Sequence, residues 1–194
     1  MNKDDIKKFF NDKASIWDDM DETDPAIVNT ILDNADITEN CRVLDVACGT
    51  GVMIPFYLCR GIKDITAIDI SDEMIKRAEH KFGDRGIRFI CGDVEAEDFE
   101  RCFDRIIVYN AFPHFPAPER LVVHLCSLLD KGGVITIAHG KSREEIDSHH
   151  KGEAAHISNG LMPVEELVGL LPEYMKETVR VSDNKMYQLA AIKI

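Results

Sequence analysis

The run Val43-Leu44-Asp45-Val46-Ala47-Cys48-Gly49-Thr50-Gly51 constrains this chain more than any other stretch. Val43, Leu44, Val46 and Ala47 make a short apolar segment of the kind found in strands covered on both faces. Gly49 and Gly51 remove Cβ atoms where the backbone must turn tightly and where a ligand can come close. A helix over 52–60, stopped by Gly61, would aim its free N–H groups at an anion. A strand, a glycine turn and a helix in that order make the ligand-binding end of an open α/β sheet.

The turn is not the dinucleotide fingerprint Gly-x-Gly-x-x-Gly, because Ile54 stands at the third glycine position and Pro55 follows it. That counts against a pyrophosphate site and against a nicotinamide-dependent oxidoreductase. Asp45 lies four residues ahead of Gly49, where an acid stabilises a cationic ligand or hydrogen-bonds a neighbouring loop. Ile65-Thr66-Ala67-Ile68-Asp69-Ile70 is a second buried strand, and Asp69 falls 18 residues after Gly51. In a dinucleotide fold an acid at this place binds ribose hydroxyls, and a carboxylate can accept from both at once. The bland alternative is that Asp69 caps the helix starting near Ser71-Asp72-Glu73, although Ser71 can do that itself. Ile87–Cys91 reads as a third strand, followed by Gly92-Asp93-Val94-Glu95.

These stretches resemble motifs I, II and III of the class I S-adenosylmethionine-dependent methyltransferases, with the Ala-Cys-Gly-Thr-Gly form of motif I. The resemblance implies an α/β fold: a three-layer, Rossmann-like, seven-stranded sheet of order 3-2-1-4-5-7-6 with the last strand antiparallel. It implies that the glycine turn of Gly49 and Gly51 lies against the methionine part of the cofactor. Asp69 would serve the ribose, Asp93 and Val94 the adenine, and Asp45, Ala47 and Ile70 belong to the same cofactor set. Trp17 and Asn110 complete the expected cofactor set. Phe9-Phe10-Asn11 with Ala14 and Trp17-Asp18 is similar to the N-terminal lid of small-molecule methyltransferases of the ubiquinone/menaquinone type. The division that follows is a helical lid over 1–39 and a methyltransferase domain over 40–194. The same 3–20 segment also reads simply as an amphipathic helix docking Ile6, Phe9 and Phe10 on the sheet.

The fourth strand, Phe103–Asn110, runs into Ala111-Phe112-Pro113-His114-Phe115-Pro116. This loop leaves the carboxyl end of a strand where the sheet order reverses and ligands bind. It is similar to motif IV of the family, where the acceptor meets the methyl group. His114 is its one titratable group and so the candidate catalytic base, against the plain alternative of a structural histidine. Phe10, His114, His139 and His149 are the expected substrate residues. Pro118 starts the next helix; Asp130–Gly133 reads as a turn and Val134–Ala138 as the fifth strand, similar to motif V. Pro163 opens a last helix through Leu171. Residues 178–181 and 186–194 form a hairpin across Ser182–Lys185.

Residues 139–162 are the least generic part and are expected to form a His-rich substrate lid. Four of the seven histidines fall between 139 and 156. Ser142-Arg143-Glu144-Glu145 is a capping box. The short helix behind it sets Glu145 and His149 four apart, with His150 alongside. His139, Glu145, His149 and His150 are therefore candidate ligands for a divalent transition metal, able to activate a thiol or another metal-coordinating acceptor. The competing reading is a polar lid helix with an exposed Glu–His pair.

Composition bounds the partners. At 194 residues the chain fits one domain with a core of its own. A net charge of −12 argues against nucleic acid, which needs a basic surface. No apolar run approaches the roughly 20 residues that span a bilayer, and Met1–Asp5 lacks the layout of a secretory signal. Six scattered cysteines without Cys-x-x-Cys suit reduced thiols and a cytoplasmic location. The expectation is a methyltransferase acting on a small-molecule O, N or S nucleophile, as a monomer or homodimer. The alternatives are the metal-assisted version and a catalytically silent S-adenosylmethionine-binding sensor or scaffold.

Overall fold

We analysed a computed structural model of the chain. It describes residues 1–20, 22–100, 102–149 and 153–194, with the side chains of residues 149, 153 and 154 outside the description. Among the described residues seven strands form one sheet. They are β1 (Arg42–Val46), β2 (Asp64–Asp69), β3 (Arg88–Cys91), β4 (Phe103–Tyr109), β5 (Leu129–His139), β6 (Met175–Ser182) and β7 (Tyr187–Lys193). Their order is β3-β2-β1-β4-β5-β7-β6. The first five are mutually parallel, and β7 runs antiparallel to both β5 and β6. This is the order expected from the sequence.

The helices are α1 (Lys3–Lys13), α2 (Pro25–Asn34), α3 (Ile54–Cys59), α4 (Asp72–Phe82), α5 (Pro118–Ser127), α6 (Arg143–His149) and α7 (Val164–Val168). Strand residues alternate between the two faces, as the period of two dictates. Val43 and Ile107 pack with Val28, Ile31 and Leu32 of α2 and Tyr57 of α3. Leu44, Val46, Ile106 and Val108 pack on the other face with Leu121, Val122 and Leu125 of α5 and Leu167 of α7. The strands of the sheet centre are covered on both sides, which is why they read as continuous apolar runs.

Local chemistry sets the helix starts. Asp24 accepts from the Ala26 N–H (2.8 Å) ahead of Pro25, and Ser71 accepts from the Met74 N–H (3.1 Å) at the start of α4. Ser142 and Glu145 form the expected capping box: the Ser142 N–H donates to Glu145 (3.1 Å) and the Glu145 N–H to the Ser142 hydroxyl (3.3 Å).

Three elements differ from expectation. The helix after the glycine turn begins only at Ile54 and is six residues long, because Thr50–Met53 are still turning. Strand β5 already pairs at Leu129 with Phe103. The register then jumps to Arg105 opposite Val134, so Asp130–Gly133 is an irregularity within the strand and not a turn before it. Pro163 caps α7 from outside, and that helix stops at Val168.

Candidate active site

Every ligand-facing turn lies at the carboxyl edge of β1, β2, β3, β4 and β5, because those strands are parallel. A cavity of about 850 Å³ opens there, near the upper end of the range that encloses drug-sized ligands. Its walls come from the turn after β1 (Ala47, Gly49, Gly51), the end of β2 (Asp69, Ile70) and the loop after β3 (Asp93, Val94). Asn110 and His114 after β4, Gly140 and Lys141 after β5, and Phe10 and Trp17 from the N-terminal segment complete it.

The glycine turn is shaped for close approach. Gly51 has φ +90, and a Cβ there would stand 2.8 Å from Ile54 Cδ1 and 3.0 Å from Phe82. Gly49 has φ +54, and its missing Cβ would lie 3.7 Å from Trp17 Nε1. A side chain on Gly49 would occupy the space between the turn and the indole. Ala47 and Asn110, at the ends of β1 and β4, also carry positive φ (54 and 53). Strain of this kind persists where the surrounding structure holds it, and it clusters at ligand sites. Asn110 is fixed by the Gly140 N–H, which donates to its side-chain oxygen (3.0 Å).

Asp69 is the anchor of the site. One carboxylate oxygen accepts from the Gly49 N–H and the other from the Ser71 N–H, each at 2.8 Å. It is only 8% exposed yet lines the cavity. Each oxygen keeps a further lone pair for a ligand hydroxyl. Burial pushes its pKa up to about 6, and the two N–H donors pull the other way.

Asp45 sits behind the wall. It is 1% exposed and is not part of the cavity lining. Burial, reinforced by the charge of Asp69, pushes its carboxyl up to about 8. The sequence placed it with the cofactor residues; it lies instead beneath the turn they form.

Asp93 is engaged from above. Its carboxylate accepts from the Lys3 ammonium of α1, which also reaches Glu95 (2.7 Å). The Glu95 N–H closes a turn on the other Asp93 oxygen (3.1 Å). Two further bonds tie the N-terminal segment to the site. Ser71 donates its hydroxyl to Asn11 (2.6 Å), and Thr50 in the glycine turn donates to Asp18 (2.5 Å).

On the β4 side His114 lines the cavity, with its ring edge-on to Phe10 at 5.1 Å between centroids. His114 Nδ1 lies 2.8 Å from the Ile157 carbonyl oxygen. A carbonyl only accepts, so Nδ1 carries the proton and Nε2 is the basic nitrogen of the neutral ring.

The metal expectation is not met by the described residues. His139 is 1% exposed within β5, opposite Tyr187 and edge-on to its ring, and it does not line the cavity. The substrate role expected of His139 fails for the same reason. Glu145 turns back to cap Ser142. His150 and the side chain of His149 lie outside the described residues. Among the described residues no three His, Cys, Asp or Glu side chains gather in a way that could hold a metal ion. The histidine spacing of 139–156 reflected shared sequence neighbourhood: the strand carries His139 inward, and His156 is exposed beside Phe9.

Sequence reasoning missed Asn159. Its backbone N–H donates to the Pro113 carbonyl (2.9 Å) and its side-chain amide to the Phe115 carbonyl (3.0 Å). Nothing in its local pattern signals a contact 44 residues away.

The buried carboxylates give a testable pH dependence. Both carry a folded-state pKa above the ordinary carboxylate value, so between that value and the folded one the native state binds more protons than the unfolded state. The stability contributed by these two groups therefore falls as pH rises from about 4 to about 8. Asp45→Asn removes the larger contribution, so urea unfolding should show the variant gaining on the parent chain at pH 8 relative to pH 5. Parallel pH profiles for the two proteins would contradict the burial of an ionisable Asp45.

The model of a family described as "Methyltransferase domain" matches residues 43–133, which span β1 to the start of β5. Malonyl-[acyl-carrier protein] O-methyltransferase of Acetivibrio thermocellus is 30% identical over 136 residues, 69% of this chain and 48% of that protein. Phosphatidylethanolamine N-methyltransferase of Cereibacter sphaeroides is 30% identical over 143 residues, 71% of this chain and 66% of that protein. The chain thus spans about half to two thirds of the length of these relatives. Among solved structures, a chain in the complex between the Haloferax volcanii Trm112 methyltransferase activator and the putative methyltransferase superposes with a TM-score of 0.82. Its sequence identity is 16%, and 97% of each chain is covered. Strand order, glycine turn, the acids at the end of β2 and after β3, and these relatives agree, and the chain belongs to the class I S-adenosylmethionine-dependent methyltransferases.

Proposed function

We propose that the chain transfers the methyl group of S-adenosylmethionine to a small-molecule nucleophile. The observation that carries this reading is the single cavity shared by the glycine turn, Asp69, Asp93 and the His114 loop. It joins a nucleoside-binding half to an aromatic half in one enclosure. When bound, the cofactor supplies an activated sulfonium methyl group that a nucleophile displaces, so the protein's task is chiefly proximity and alignment.

Each residue has a distinct part in this reading. Asp69 accepts the ribose hydroxyls on the lone pairs left over from Gly49 and Ser71. Asp93 accepts the adenine amino group, and the Val94 N–H faces a ring nitrogen. Gly49, Gly51 and Ala47 pass the methionine part along the turn, with Trp17 across from Gly49. Of residues 1–39, the segment up to Asp18 serves as the lid, because Lys3, Asn11 and Asp18 fasten it to Asp93, Ser71 and Thr50, while α2 belongs to the core beneath the sheet. Phe10 and Asn110 bound the acceptor compartment, and His114 Nε2 receives the proton of an acceptor that must lose one. The six-residue α3 adds little dipole, so the turn itself carries the anion-facing role once expected of a longer helix.

The first test is calorimetric titration with S-adenosylhomocysteine. The parent chain should bind one equivalent, and NADH should give no heat. Asp69→Ala should weaken binding by roughly 10- to 100-fold, the value of charge-assisted hydrogen bonds of about 1.5–3 kcal/mol. Affinity of the parent chain should rise with pH through about 6, because the ionised carboxylate is the stronger acceptor. Unchanged binding in Asp69→Ala would remove the ribose role.

The second test follows labelled methyl groups from S-adenosylmethionine into a panel of small thiols, phenols, amines and carboxylates. His114→Ala should lower kcat by about 10²–10⁴ for acceptors that must be deprotonated. It should spare acceptors that enter as anions. Equal losses for both kinds would show that His114 shapes the compartment and does not move a proton.

A further inference from the structure

His114 ends the short 3-10 helix Phe112–His114, and its own backbone does not hold its ring in one tautomer. Something must supply a fixed acceptor to one nitrogen and keep the loop in register with it. Here the acceptor is the carbonyl of Ile157, 2.8 Å from His114 Nδ1. Ile157 is itself fully buried at the end of the 3-10 helix Glu153–Ile157. Its carbonyl therefore sits on a fixed support.

The two residues flanking His114 are held by one side chain and its own backbone. Pro113 accepts from the Asn159 N–H (2.9 Å), and Phe115 accepts from the Asn159 side-chain amide (3.0 Å). Together with the imidazole bond this makes three rungs between 113–115 and 157–159, with His114 as the middle one. Asn159 is exposed to solvent and forms no part of the cavity wall. Its side chain is an amide at a place where a donor is required, since its side-chain partner, Phe115, offers a carbonyl oxygen. Behind it the chain is pinned again. Gly160 takes φ +73, the Leu161 N–H donates to Asp147 (2.8 Å), and the Arg143 Nε–H donates to the Leu161 carbonyl (2.7 Å). The Phe10 ring packs against the imidazole in a T-shaped arrangement.

We propose that Asn159 is a positioning residue that, through Pro113 and Phe115, holds the His114 imidazole against the Ile157 carbonyl and so keeps it in the Nδ1-protonated, Nε2-basic form. The consequence for turnover rests on the proton-accepting role proposed for His114; the tautomer itself does not. Without the Asn159 amide the loop loses one of its outer rungs, and the ring can turn away from Ile157. In water a neutral imidazole prefers the proton on Nε2, which is the tautomer that cannot accept a proton from a bound molecule at that nitrogen.

The test uses the whole chain with histidine labelled in both ring nitrogens and saturated with S-adenosylhomocysteine. Long-range proton–nitrogen correlation spectra distinguish the two tautomers, and the signal missing in His114→Gln identifies the ring. The parent chain should show His114 protonated on Nδ1 in its neutral form. Asn159→Asp keeps the shape but removes the donor, and Asn159→Ala removes both. Each should move the His114 signals toward the Nε2-protonated pattern while the other histidines stay in place. A parent chain with Nε2–H at His114 overturns the proposal outright. So does an Asn159→Asp protein in which the Nδ1–H pattern persists. These spectra need no acceptor, so their failure is separate from failure of the base role, which only the kcat of His114 variants reads.

Discussion

The Asp69 carboxylate joins three pieces of chain that would otherwise be independent. It closes the turn after β1 through Gly49, the start of α4 through Ser71, and the end of β2 through its own backbone. Both bonds run from backbone N–H groups to a buried carboxylate, the arrangement in which hydrogen bonds count most. The cost is electrostatic. Asp45 and Asp69 lie on neighbouring strands, both buried, and each raises the energy of charging the region. A cavity lined by Asp69, with Asp45 buried beneath its wall, favours a ligand that brings hydroxyl donors or positive charge. S-adenosylmethionine has both, through its ribose and its sulfonium. The same feature gives the stability a pH slope that an apolar core would lack.

The cover over this cavity is fastened differently from the floor. The floor is made of backbone and buried carboxylate; the N-terminal segment is held by Lys3, Asn11 and Asp18, whose contacts are only partly buried. Partly exposed ion pairs contribute little each, commonly below 1 kcal/mol. Fastening of this kind fits the lid role proposed for this segment. Its fastening points are Asp93, itself proposed to meet the cofactor, and two neighbours of such residues: Ser71, which donates its backbone N–H to Asp69, and Thr50, between Gly49 and Gly51.

Much of the floor was legible in the sequence, because it obeys local rules. Apolar runs of strand length ended in glycine or acid at regular intervals, and a parallel sheet puts all those ends on one edge. Gly51 was identifiable since its φ of +90 excludes an ordinary side chain. The placements that failed depended on direction and distance in space. His139 was expected among the substrate residues, yet the inward face of β5 takes it into the sheet, away from the cavity. Glu145 could serve as a ligand or as a cap, and the capping box claimed it. Asp45 was recognised as significant but assigned to the wrong layer, because pattern does not tell a residue at the cavity from one just beneath it. Asn159 left no trace, since its partners lie 44 and 46 positions away and its own surroundings read as loop.

The central claim is that the cofactor lies on the glycine turn beneath the N-terminal segment. Trp17 is the chain's one tryptophan, and its indole nitrogen lies within 4 Å of the place a Gly49 Cβ would take. Its fluorescence should therefore change saturably on addition of S-adenosylhomocysteine, reach its limit at one equivalent, and stay flat with NADH. No change at saturating S-adenosylhomocysteine, or an equal response to NADH, would contradict the account.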